Sequence, residues 1–211
     1  DIPTIDEDVI EFNDSPDQGE GYDLTFPVRL TGTVDNAVNG QNDLDYFSFE
    51  IDRPTALLLR VEGAPAIVWP AAIVIGYQAR NNTVTRGSFG ADVGEADTRE
   101  VFLPQPGRYT FIVSDFRSFI QSPGNVGGIG YDYTVYISEI PLPEPTDVAL
   151  PTAAQPRSFD GTLNTYRVAT TNLEALQVAA NGISIDENSF QFPALSVLEA
   201  DGSTLIEAAN E

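Results

Sequence analysis

The chain has 211 residues, 42% of them hydrophobic, and carries 32 Asp and Glu against ten Arg and no Lys, a net charge of −22. That length and apolar content suit one large or two small globular domains and exclude a disordered chain. So negative a surface repels nucleic acids and anionic lipid heads, which leaves cations, neutral polymers and proteins as partners. No apolar run reaches spanning length, so membrane insertion is not expected. His and Cys are both absent, which rules out Ser-His-Asp triads, Cys-His dyads and ordinary zinc sites within these residues. No motif singles out a carboxylate pair as an acid and base, so no catalytic residue is assigned and an enzyme is not expected.

In chain order, residues 1–21 are acidic and turn-rich, ending in NDSPDQGEG, and read as an extended lead-in. Residues 22–140 follow as a first β unit. Its strand-like runs, separated by Gly and Pro turns, are Leu24–Val34, Tyr46–Ile51, Ala56–Val61, Ala72–Gln78, Arg99–Leu103, Arg108–Ser114 and Tyr131–Ser138. They are rich in β-branched and aromatic residues, and several alternate with period two, as in Tyr109, Phe111, Val113 and in Tyr133, Val135, Ile137. No segment carries a helical period. The expectation is an all-β antiparallel β-sandwich, jelly-roll or immunoglobulin-like. The stretch from Glu139 to Pro156 holds five prolines and reads as a stiff linker over 141–157, with a domain boundary near Glu144.

Residues 158–211 echo the first unit and suggest a tandem arrangement. TYRVATTNLEALQVAANG parallels DYFSFEIDRPTALLLRVEG, with Tyr166 opposite Tyr46 and Gly182 opposite Gly63, and PALSVLEADGSTLIEA parallels PAAIVIGYQARNNTVT. The second copy contains no counterpart of the PGRYTFIV hairpin or the YDYTVYISE strand. Either the natural chain runs on past Glu211 or another chain supplies the missing strands. Asp1 is not an initiator Met, and the chain is expected to be a processed segment of a secreted or cell-surface protein.

Two readings of Asp43-Leu44-Asp45, in QNDLDYFSFEID, stay open. Residues two apart on a strand share a face, so both carboxylates could meet one ion; alternatively they form the polar turn that starts the strand. Trp69, the only tryptophan, and Tyr131 and Tyr136, both in the last strand of the first unit, are the candidate ligand contacts. Packing is the alternative for each of them. Asn81-Asn82-Thr83 is a formal glycosylation sequon.

GTVDNAVNGQNDLDYFSFEID, PGRYTFIV, GYDYTVYIS and the earlier EFNDSP follow one another in an order that resembles the bacterial pre-peptidase C-terminal domain, over about residues 8 to 140. The resemblance implies a secreted, non-catalytic β-sandwich appended to proteases and other extracellular proteins. In the related collagen-binding domains calcium sits between the lead-in and the Asp-rich loop, so Ca²⁺ is the implied cofactor. The matching positions are Glu11, Asn13, Asp14, Asp43 and Asp45, while Val9 stands where a further carboxylate is often found. The expected function is an accessory module that binds an extracellular protein or polysaccharide. The alternative is a surface-fibre or adhesin subunit that self-associates into a polymer by strand addition.

Overall fold

The structure is a computed structural model in which residues 1–7, 23–35, 43–63, 70–76, 86–90, 96–103, 106–115, 127–149, 164–168, 194–198 and 205–210 are described. The elements in these stretches are thirteen strands: β1 (Thr4–Asp6), β2 (Val28–Thr33), β3 (Asp45–Ile51), β4 (Thr55–Gly63), β5 (Pro70–Gly76), β6 (Arg86–Gly90), β7 (Ala96–Leu103), β8 (Gly107–Asp115), β9 (Asp132–Ile140), β10 (Thr146–Val148), β11 (Tyr166–Val168), β12 (Ala194–Leu198) and β13 (Leu205–Asn210). Among the described residues no helix is long and apolar enough to cross a membrane.

Two open sheets carry the first nine strands, in the orders β1-β2-β9-β4-β7 and β3-β8-β5-β6. The alternation seen in the sequence sets which residues face the core. On β3, Phe47, Phe49 and Ile51 are buried while Glu50 is exposed; on β9, Tyr133, Val135 and Ile137 are buried while Asp132 and Glu139 are exposed. One hydrophobic cluster takes Val28 and Leu30 from β2, Leu57, Leu59 and Val61 from β4 and the β9 residues of the first sheet, together with Phe47, Phe49, Tyr109, Phe111 and Val113 of the second. Both sheets therefore close over one core. Phe47 and Phe111 are fully enclosed, and each contributes about 1.5–3 kcal/mol through removal of its ring from water.

Not every pairing is antiparallel. β1 runs parallel to β2, with Ile5 opposite Leu30. Asp23 forms a parallel bridge with Ser48 of β3, where the Leu24 amide donates to the Ser48 carbonyl at 2.7 Å. The proline-rich segment read as a linker contains β10, which pairs parallel to β11 with Asp147 opposite Arg167 and Val148 opposite Val168. Prolines 141, 143 and 145 precede this strand and leave Thr146 to Val148 free to donate to a ladder. β12 and β13 form an antiparallel hairpin of their own. β6 was not foreseen: RGSFG has two glycines and no alternation, yet it pairs along β5.

Candidate functional site

The first residues of β3 and the last of β8 meet at one end of the four-stranded sheet, because Asp45 pairs with Val113 in an antiparallel register. Parity then decides where the acids point. Asp45 continues the line of Phe47, Phe49 and Ile51, and Asp115 continues that of Tyr109, Phe111 and Val113, so both carboxylates lie on the core side of their strands. Asp45 keeps 1% of its surface and Asp115 none. Asp43 is half-buried, held by Ser114 Oγ donating to its carbonyl at 2.8 Å and by its own Oδ2 accepting from the Asp35 amide at 2.5 Å. Asp43 is thus tied by hydrogen bonds to its neighbours, and Asp45 is buried.

The other sheet contributes Tyr133 of β9 and Glu7, which follows β1 and is itself buried. Gly32 of β2 lets them approach: a Cβ there would stand 2.7 Å from Tyr133 Oη and 2.9 Å from Glu7 Cβ, closer than side chains tolerate. Burial foremost, and then the charges of Asp45, Glu7 and Asp43, push the Tyr133 phenol well above its ordinary value. It stays neutral and faces a negative environment. Next to it, Gly127 lies against the Val34–Asp35 backbone at φ 119°, where a Cβ would fall 1.8 Å from the Asp35 carbonyl oxygen. The Gly128 amide donates to Val34 O at 2.8 Å and the Val34 amide to Tyr131 O at 3.1 Å, pinning the turn that leads into β9.

Glu7, Asp43 and Asp45 are thus near enough to the Tyr133 phenol to act on it, and Asp115 ends β8 at the same end of the sheet. Among the described residues no group of three acids is placed so that it could hold a metal by itself. Glu11, Asn13 and Asp14, the other implied calcium ligands, and Trp69 lie outside the described residues, as does the sequon. Tyr131 is partly buried against the core. Tyr136 is half-buried on the outer face of the five-stranded sheet, with the Arg29 guanidinium 5.6 Å from its ring centre. Sequence reasoning missed Glu7 and Asp115. Asp115 carried a usable signal, since an acid that prolongs a strand's apolar parity is placed toward the core; Glu7 carried none, because its position depends on the pairing of β1.

No protein-family model matches the chain, and no curated protein matches it. Among solved structures, the pre-peptidase C-terminal domain of a collagenase from Bacillus anthracis is similar, with a TM-score of 0.38 and 12% identity over 56% of this chain and 93% of that one.

Proposed function

We propose that this chain is a non-catalytic accessory module of a secreted or cell-surface bacterial protein, built of tandem β-sandwiches of the jelly-roll or immunoglobulin-like kind, stabilised by Ca²⁺ and binding an extracellular protein or polysaccharide. The observation that carries the reading is the buried carboxylate of Asp45 beside Glu7, Asp43 and the neutral Tyr133 phenol. Enclosed carboxylates cost several kcal/mol unless charge or hydrogen bonds compensate; a hydrogen bond with the Tyr133 side chain meets part of this for Asp45, and a bound cation would add compensating charge. The donor set is all oxygen, which suits Ca²⁺ over softer metals. Asp43 and Asp45 would hold the ion together with Glu11, Asn13 and Asp14.

The tandem arrangement draws support from a second parallel pairing. Asp23-Leu24-Thr25-Phe26-Pro27 and Asp147-Val148-Ala149-Leu150-Pro151 share one pattern. Asp23 bridges Ser48, and Asp147 bridges Arg167. Matching those bridges moves the repeat by one residue from the sequence expectation: Tyr166 then stands for Phe47, Val168 for Phe49, Leu163 for Leu44 and Asn164 for Asp45. Apolar residues fall on like parity and Arg167 takes the Ser48 position. On this alignment the second module begins near Thr146, inside the proline-rich segment.

The test is thermal unfolding with and without calcium for the wild type, Asp43→Asn and Asp45→Asn. An ion that binds only the folded state raises the midpoint with its concentration. The wild type is expected to shift and Asp45→Asn to lose most of the shift. An unchanged wild-type midpoint at millimolar calcium overturns the metal assignment.

A further inference from the structure

We infer that the first unit and the β10–β11 pair are held in one fixed orientation by a two-residue elbow, Pro141-Leu142, in place of a free linker. The inference rests on the tandem reading of the chain and concerns how its two units are joined.

The chain is fastened on both sides of these two residues. On the first side β9 is paired to its last residue, with Ile140 opposite Ala56, and Glu139 is tied to the turn before β4 by Arg53 Nη2 at 2.8 Å. Thr55 Oγ1 donates to the Arg53 carbonyl at 2.9 Å and braces that turn. On the other side Thr165, just ahead of β11, donates through Oγ1 to the Pro143 carbonyl at 2.5 Å, and its own carbonyl accepts from the Thr146 amide at 2.9 Å. Pro143 is therefore already part of the β10–β11 arrangement, and only Pro141 and Leu142 lie between the two. They run beside the β3–β4 turn, sharing with Arg53 to Ala56 the lining of one groove.

The residue types make so short a joint stiff. Proline fixes φ at positions 141 and 143, and a residue that precedes proline is confined to extended conformations, which restricts Ile140 and Leu142 as well. Of the torsions between Ile140 and Pro143, only ψ of Pro141 keeps its ordinary range. The step from Ile140 to Pro143 spans about 9 Å when extended as polyproline, too short a tether for two folded units to swing past each other. Relative motion is the ordinary behaviour of linked domains, and glycine or serine at these positions would permit it. The exposed Arg53–Glu139 pair adds little by itself; the prolines set the stiffness. A polymer that touches both units then meets them at a fixed spacing and orders no joint on binding.

The experiment is backbone amide relaxation by NMR on the intact chain, comparing the rotational correlation time of β3 and β8 with that of β10 and β11. In the wild type the two values are expected to agree. Pro141→Gly combined with Pro143→Gly restores the lost backbone freedom while keeping the carbonyl that Thr165 binds. It should lower the β10–β11 value by about twofold, because residues 143–211 are about one-third of the chain and a freed unit tumbles with its own mass. A Gly-Ser stretch inserted after Leu142 supplies the fully released value. Unequal wild-type values with order parameters of about 0.85 in both units overturn the elbow and leave the tandem reading standing; order parameters below about 0.6 throughout β10 and β11 overturn both. Values that stay equal in the double-glycine variant, or after the insertion, overturn the elbow as the cause.

Discussion

Asp23–Leu24 running beside β3, and β10 running beside β11, are two versions of one local arrangement with different surroundings. Each has an aspartate in an ion pair, Asp23 with Arg108 and Asp147 with Arg167. Each has a parallel contact to a strand later in the chain. Yet Phe47 of β3 is fully enclosed, while Tyr166 of β11 keeps 45% of its surface. The contact itself is set by a few neighbouring residues; enclosure is set by β8, paired along the length of β3, and by the facing sheet. The acids differ too, since Asp45 has its counterpart in Asn164 on the proposed alignment. On that alignment strand pairing and carboxylates are separable, and only the first recurs.

Four experiments break or sharpen that contrast. Phe47→Ala should lower unfolding stability by about 3–5 kcal/mol, as expected for an emptied aromatic site. Tyr166→Ala should stay under about 1 kcal/mol, as an exposed position would; equal losses in urea unfolding would mean that the two strands are equally enclosed. Next in size is calcium. At a hundredfold excess over Kd the proposed ion would stabilise by about 2.7 kcal/mol, and Asp45→Asn, which gives the first unit the amide found at Asn164 on the proposed alignment, should remove most of this in a calcium-dependent melt. Gly32→Ala should cost about 1–3 kcal/mol through overpacking against Tyr133 and Glu7, read as a lower melting temperature. The smallest effect is alkaline. The Tyr133 phenol holds its proton more tightly folded than unfolded, so above about pH 10 the unfolded chain binds fewer protons and stability falls as pH rises. Below that pH the phenol contributes no slope. Tyr133→Phe should flatten the alkaline limb of a stability–pH curve, and an unchanged limb would show that Tyr133 does not control it.

The strands with the strongest alternation were legible from sequence. Tyr109, Phe111 and Val113, or Tyr133, Val135 and Ile137, need only a two-residue period to declare a buried face, and both faces are buried in the structure. β1 and β10 were not legible. Three residues carry too little pattern to announce a strand, and both acquire their conformation by pairing with a chain segment about twenty or more positions away. The acidic end was half legible. Asp43 and Asp45 stood out as a pair, but that Asp45 turns inward, joined by Asp115 and Glu7, follows from a register that only the assembled sheets define. Tyr136 was separated from Tyr133 by parity alone, whereas its place between two arginines needed the strand order.

β1 also closes an edge. With its three residues in place, the outer side of β2 is occupied by Thr4 to Asp6, and the Arg29 amide donates to Pro3 O at 2.9 Å. Removing that cover would leave Arg29 to Thr31 of β2 without their outer partners, the kind of border along which separate chains zip together. If Thr4 to Asp6 guard β2 in this way, a sample clipped after Glu7 should show rising light scattering before any loss of secondary structure.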